Sequence, residues 1–154
     1  MKTINSRKNK SGSKEHKNIA QASRIIASGK RKSAVARAIL TEGTGEITLN
    51  KNKLENVYLF NRLKIMEPIR IAEHVLGKIN FNVRIIVRGG GEKGQIDAAR
   101  IALAKAIVKF SKSEKLEDAY FDYDRNLLVA DVRRKEAYKP DDSKARAKRQ
   151  SSKR

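Results

Sequence analysis

Between Ile79 and Phe110 the chain reads INFNVRIIVRGGGEKGQIDAARIALAKAIVKF, and the apolar period changes in the middle of that stretch. Phe81, Val83, Ile85 and Val87 alternate with Asn82, Arg84, Ile86 and Arg88, which is the period of a half-buried strand. Beyond three consecutive glycines, Ile96, Ala99, Leu103, Ile107 and Phe110 recur at helical spacing. Ala98, Ala102, Ala104 and Ala106 fill the rest of that helix, so it can approach a sheet closely. A strand that turns directly into an alanine-rich helix puts sheet and helix in one unit.

Other segments fit around this unit. From Ser33, AVARAIL puts Val35, Arg37 and Ile39 on one side of a strand and Ala34, Ala36, Ala38 and Leu40 on the other. The small side suits a strand beneath a helix. TEGTGEITLN predicts a glycine-containing turn, a second strand and hence a hairpin. The apolar positions of residues 54–76 predict two short helices, the second opening near Pro68. SEKLEDAYFDYDRNLLVAD predicts a further short helix and an apolar segment closing the core, and past Asp131 the apolar periodicity stops. Three regions follow: a basic extension (1–22), a globular domain (23–132) and an extended basic tail (133–154).

Three chemistries need bare backbone at Gly89-Gly90-Gly91: a dinucleotide, a nucleoside triphosphate or an RNA backbone. Gly89, Gly91 and Gly94 fit G-x-G-x-x-G between a strand and a helix, as a dinucleotide fingerprint requires. The segment after the helix is charged, however, and supplies no second buried strand ending in an acidic residue for the ribose. A triphosphate loop requires Gly-Lys-Ser/Thr, whereas Gln95-Ile96 follows Gly94. A purely conformational role is an equal competitor, because glycine accepts φ > 0 and close packing where a strand becomes a helix. A helix N-terminus beside Arg88 and Lys93 also suits one phosphate of a nucleic-acid backbone.

Charge narrows these alternatives. Net charge is +19, from 36 Lys+Arg against 17 Asp+Glu. Residues 1–32 carry ten basic and one acidic side chain, residues 133–154 ten and three, and the hundred between them sixteen and thirteen. A nearly balanced body with two cationic ends points to a polyanionic partner. Without cysteine there are no disulfides or thiolate metal sites, and no metal or other cofactor is expected. MKTINSRKNKSGSKEHKN has no secretory apolar core and no stretch is long and apolar enough to span a membrane, so a soluble, intracellular chain without a membrane partner is expected. His16 and His74 are isolated, and Asp131 and Glu136 flank Arg133-Arg134, where they orient arginines rather than form an acid/base pair. No enzymatic constellation is expected.

The tail carries ten cations in 22 residues without amphipathic spacing. Fully extended, residues 140–154 reach roughly 50 Å. A flexible cationic rod of that length suits an RNA phosphate surface. GKRKSAVARA at 29–38, Glu67-Pro68-Ile69, GGGEKGQ at 89–95, Arg100, and Lys144-Ala145-Arg146, Gln150 and Ser152-Lys153-Arg154 occur together and in order. In that combination the chain resembles the ninth universal small-subunit ribosomal protein family, with LLVADVRRKE and the Glu-Pro-Ile step leaning to its archaeal branch.

The resemblance implies a small α/β domain of two layers, in the α+β sense, similar to the second domain of the fifth small-subunit protein, with extended basic N- and C-terminal tails. It also implies a cytoplasmic place in the small ribosomal subunit, docked on rRNA in the subunit head beside neighbouring head proteins. Lys153 and Arg154 would then touch peptidyl-site tRNA. Lys30, Arg31, Lys32, Arg37, Arg88, Lys93, Arg133, Arg134, Lys139, Lys144, Arg146, Lys148 and Arg149 would meet rRNA phosphates. Gly89, Gly90, Gly91, Gly94 and Gln95 would form the turn that lets backbone approach rRNA. From the residues alone, Tyr138 beside Lys139 is the best single candidate for base stacking, with a merely solvated tyrosine the stronger competing reading. The competing classes are a free nucleoid or nucleic-acid packaging protein, which would bind duplex DNA as well as rRNA, and a nucleotide-binding enzyme built on the glycine loop.

Overall fold

A computed structural model of the chain describes residues 24–77, 80–138, 140 and 145–146. The expectations for residues 1–22, Lys139, Lys144, Lys148, Arg149, Lys153 and Arg154 lie outside the described residues.

Five strands form one mixed sheet in the order β1-β2-β5-β3-β4. They are β1 (Ile25–Arg31), β2 (Ala34–Glu42), β3 (Ile47–Leu49), β4 (Asn52–Lys53) and β5 (Phe81–Arg88). A 3₁₀ turn, Leu54–Asn56, leads to helix α1 (Leu59–Leu76); α2 (Glu92–Ser111) and α3 (Glu114–Tyr123) follow β5. All three helices lie on one side of the sheet: α2 packs on β1, β2 and β5, α1 packs beside α2, and α3 touches both. This is the two-layer α+β arrangement that the family resemblance implied.

Small residues bring the layers together. Gly29, Ala34, Ala36, Ala38 and Leu40 face α2, whose own buried side includes Ala98, Ala99, Ala102 and Ala106. A Cβ built on Gly29 would lie 2.6 Å from the backbone nitrogen of Ala102 and nearer still to the Ala98 carbonyl, so nothing larger than glycine fits. The alternation read in β5 holds, with Phe81, Val83, Ile85 and Val87 buried. Phe81 at the start of β5 meets Phe110 at the end of α2 edge-on, with ring centroids 6.1 Å apart, because the helix runs back along its strand.

Two local expectations are corrected. The glycine turn after β2 does not make a hairpin, since β5 lies between β2 and β3, and β3 runs parallel to β5. The Asn82 side-chain oxygen accepts from the backbone N–H groups of Gly45 and Glu46, at 3.0 and 2.9 Å, and steers the connection past the start of β5. The hairpins are instead β1–β2, closed by Lys32-Ser33, and β3–β4, closed by Asn50-Lys51. Lys32, Asn50 and Lys51 all take positive φ there, in place of the glycine usual in such turns.

Residues 59–76 form one helix rather than two, with Pro68 buried inside it. Proline removes one intrahelical donor and usually breaks a helix. Here the site is held by packing and by the buried Tyr120 hydroxyl, which donates to the Pro68 carbonyl at 2.6 Å. Burial pushes the Tyr120 phenol well above its ordinary pKa, so it remains a donor.

Candidate nucleic-acid interface

The glycine loop and the GKRKS segment meet in space. Gly89 and Gly90 take φ of 72° and 68°, a region that favours glycine. A Cβ on Gly89 would sit 2.8 Å from the Ser33 carbonyl oxygen, and one on Gly90 would sit 2.9 Å from the Ala34 nitrogen. The loop is therefore pressed against the β1–β2 turn. Gly91 caps α2 with an ordinary extended backbone and open space where a Cβ would go, while Gly94 lies within the first turn of the helix. The Gln95 side chain donates to the Gly89 carbonyl at 3.2 Å and braces the loop. Conformation and close packing account for Gly89 and Gly90. The dinucleotide unit is incomplete, because α3 rather than a parallel strand follows α2.

Beside this junction is an open cleft of about 600 Å³, lined by Arg31, Lys32, Gly91, Glu92, Lys93 and Asp97 among others. Its charges are mixed. Glu92 sits in the first turn of α2, where it complements the helix dipole, and accepts from the Asn61 amide at 2.6 Å. Arg31 is paired with Asp131, and its Nε is 3.9 Å from Asp97. Asp97 is also 3.7 Å from the Lys64 ammonium.

Asp131 is the hub at the root of the C-terminal tail. Its side chain is only 6% exposed and holds Arg31 from the hairpin on one side. On the other it takes the Arg133 guanidinium, with Nη2–Oδ2 at 2.8 Å, and the Arg133 backbone N–H at 2.7 Å. Glu136 pairs not with Arg133 or Arg134 but with Arg146, with Nη2–Oε1 at 2.6 Å. That contact holds the Glu136 carboxyl below its usual range and raises the Arg146 guanidinium, although both are fully exposed. The Lys135 ammonium lies 4.4 Å from the Tyr138 ring centroid, so one face of that ring is occupied.

Arg100, expected as part of the motif set, ties the helices together. Its Nε is 2.7 Å from Glu67 Oε2 on α1, an ion contact rather than an aligned hydrogen bond, and its Nη1 is 3.1 Å from Asp124 after α3. Arginine and the Glu-Pro-Ile step are thus one structural unit.

Strand alternation divides GKRK. Arg31 turns to the helix side, Lys32 sits at the turn, and Lys30 points to the uncovered face of the sheet. Arg37 and Arg88 share that face with Lys30. Arg24 and Arg84 belong to the same surface and were not among the expected residues. The signal for Arg84 was present, since it stands in the same alternation as Arg88, four residues before it. Among the described residues, Arg24, Lys30, Arg37, Arg84 and Arg88 have no carboxylate within salt-bridge distance, whereas Arg31, Lys64, Arg100, Arg133 and Arg146 each do.

Comparison with known proteins follows the same residues. The chain matches the ribosomal protein S9/S16 family over residues 29–154. It is 46% identical over 127 residues to small ribosomal subunit protein uS9 of Methanococcus vannielii, spanning 80% of this chain and 93% of that one. The proteins of the same name from Thermoplasma volcanium and Picrophilus torridus are 46% and 47% identical over 130 residues, covering 83% of this chain and 96% of each of theirs. Gly29, Arg31, the braced glycine loop and the Glu67–Arg100 contact thus all lie inside the matched region, and this chain belongs to the ribosomal protein S9 family.

Proposed function

We propose that the chain is a non-enzymatic component of the small ribosomal subunit, which binds rRNA in the subunit head. Its C-terminal tail would touch peptidyl-site tRNA through Lys153 and Arg154. The observation that carries this reading is the family match over residues 29–154, supported by relatives of the same small-subunit name that align over nearly their whole length. The charge distribution supports it: a body whose open sheet face carries cations without carboxylate partners among the described residues bears a tail of ten basic residues. Affinity for rRNA then comes mainly from phosphate neutralisation, with log K falling by about 0.7–0.9 per contact for each decade of salt. Specificity comes from the shape of folded rRNA, since one isolated tail tyrosine makes no stacking platform.

Sedimentation of native extract at moderate and high salt tests the assembly claim. Unit stoichiometry with the small subunit through the high-salt wash is expected; recovery with nucleoid DNA or at the top of the gradient overturns it. For the tail, deleting Lys153 and Arg154 weakens peptidyl-site tRNA binding to purified subunits while assembly proceeds. Unchanged tRNA affinity would remove the tail from that role.

A further inference from the structure

The packing of the fold leaves the uncovered sheet face unexplained. Among the described residues no helix or loop covers it, and Ile26, Val35 and Ile86 stand exposed on it, Ile26 at 53%. Strand register arranges the side chains there as a checkerboard. Lys30 pairs with Val35 and Val35 with Arg88; Ser28 pairs with Arg37 and Arg37 with Ile86; Ile26 pairs with Ile39 and Ile39 with Arg84. Each arginine therefore lies beside a β-branched aliphatic and diagonal to another cation. Arg84 separates two depressions of about 430 and 620 Å³, the first also lined by Arg24, Thr48 and Asn82, the second by Asn50, Lys51 and Arg88. Among the described residues, Glu46 at the rim of the first is the one acidic side chain lining either.

We infer that this face is a docking surface for the backbone of duplex RNA, laid against its shallow minor groove. The inference rests on the RNA-binding reading above. Charge complementarity selects a polyanion, because five cations share a surface without carboxylate partners among the described residues. Among the described residues no aromatic side chain lies on the face, which disfavours single strands, since these are bound by stacking their bases. Duplex RNA presents a wide, shallow minor groove of ribose hydroxyls bordered by two phosphate lines, and it is recognised by shape.

The face has the matching dimensions. Arg84 and Arg88 stand about 13 Å apart along β5, and β1 lies about 10 Å across from β5. Cations can thus reach phosphates on both borders while Val35, Ile39 and Ile86 rest on the sugars between. Thr48 and Asn82 offer hydrogen bonds to 2′-hydroxyls.

The test uses full-length protein and three probes of equal length: an RNA duplex, its single strand and the corresponding DNA duplex. Lys30, Arg37, Arg84 and Arg88 are changed together to Gln, and a second variant changes Lys148, Arg149, Lys153 and Arg154 to Gln. Duplex-RNA affinity is expected to fall at least about tenfold in the face variant, with a salt slope shallower by about three to four contacts. Wild type should prefer duplex RNA to the other probes, and the face variant should lose that preference while the tail variant keeps it. An unchanged melting temperature certifies the fold; if the fourfold variant fails to fold, Arg84→Gln alone, with ribose footprinting of the bound duplex, decides the matter. Equal binding of the single strand, or a face variant that binds duplex RNA like wild type, overturns the inference while leaving the RNA-binding reading intact. A face variant that keeps its RNA affinity but no longer enters the subunit assigns the face to a protein and also overturns it. Wild type that binds no RNA removes the broader reading itself.

Discussion

On one side of the sheet, Gly29, Ala34, Ala36 and Ala38 lie under α2 with no charged side chain buried among them. On the other, residues of the same strands, one position along, are Ser28, Lys30, Val35 and Arg37, open to solvent and free of carboxylate partners among the described residues. Fit decides the covered face, where α2 approaches too closely to admit a Cβ at Gly29. Charge decides the open face, where nothing in the fold accounts for the arginines. The cations at the helix edge and tail root form a third situation: Arg31, Arg100 and Arg133 are already held by acids. Basic residues near one another in sequence thus differ in what they offer a ligand, and Lys30 and Arg31 differ most.

Substitution at the covered face should have the largest effect. Gly29→Val forces a side chain into the α2 backbone and should cost about 3 kcal/mol by overpacking, read from chemical denaturation. A loss under about 0.5 kcal/mol would mean that the layers are not in close contact. At the tail root, Asp131→Asn leaves Arg31 and Arg133 without their shared carboxylate and should cost about 1–2 kcal/mol. The same change frees Arg133 and leaves Arg31 only its contact with Asp97, so the salt slope for RNA should steepen by about one contact. A slope that stays flat would show that the paired arginines never competed for phosphate. Arg84→Ala on the open face should move stability by less than about 0.5 kcal/mol in either direction; a larger loss would give that arginine a structural role and blur the contrast between faces.

The smallest effect concerns pH. Glu136 is held below the usual carboxylate range by Arg146. A lowered folded-state value means the contact contributes above the ordinary carboxylate pKa and is lost as pH falls through the lowered one. NMR titration of the Glu136 carboxyl should therefore show a midpoint that rises to the ordinary value in Arg146→Gln, and an identical midpoint in both proteins would dispose of the pair.

Sequence by itself determined the β5–α2 unit, the alanine face of β2 and the alternation that sorts Arg84 from Ile85, because periods of two and 3.6 are local consequences of backbone geometry. Family membership was legible too, through motifs whose order survives in the linear chain. The neighbour of β3 was not legible, since a glycine turn permits a hairpin and the redirection comes from β5, through its parallel ladder with β3 and the Asn82 side chain, 36 residues away from Glu46. Nor was the unbroken α1, where the Tyr120 hydroxyl and the surrounding helices hold a proline that local rules would place at a helix start. The fate of each cation was likewise tertiary. Pairing depends on Asp131 arriving beside Arg31 from a hundred residues away in sequence, and on the packing of α2 against one side of the sheet with α1 and α3 beside it.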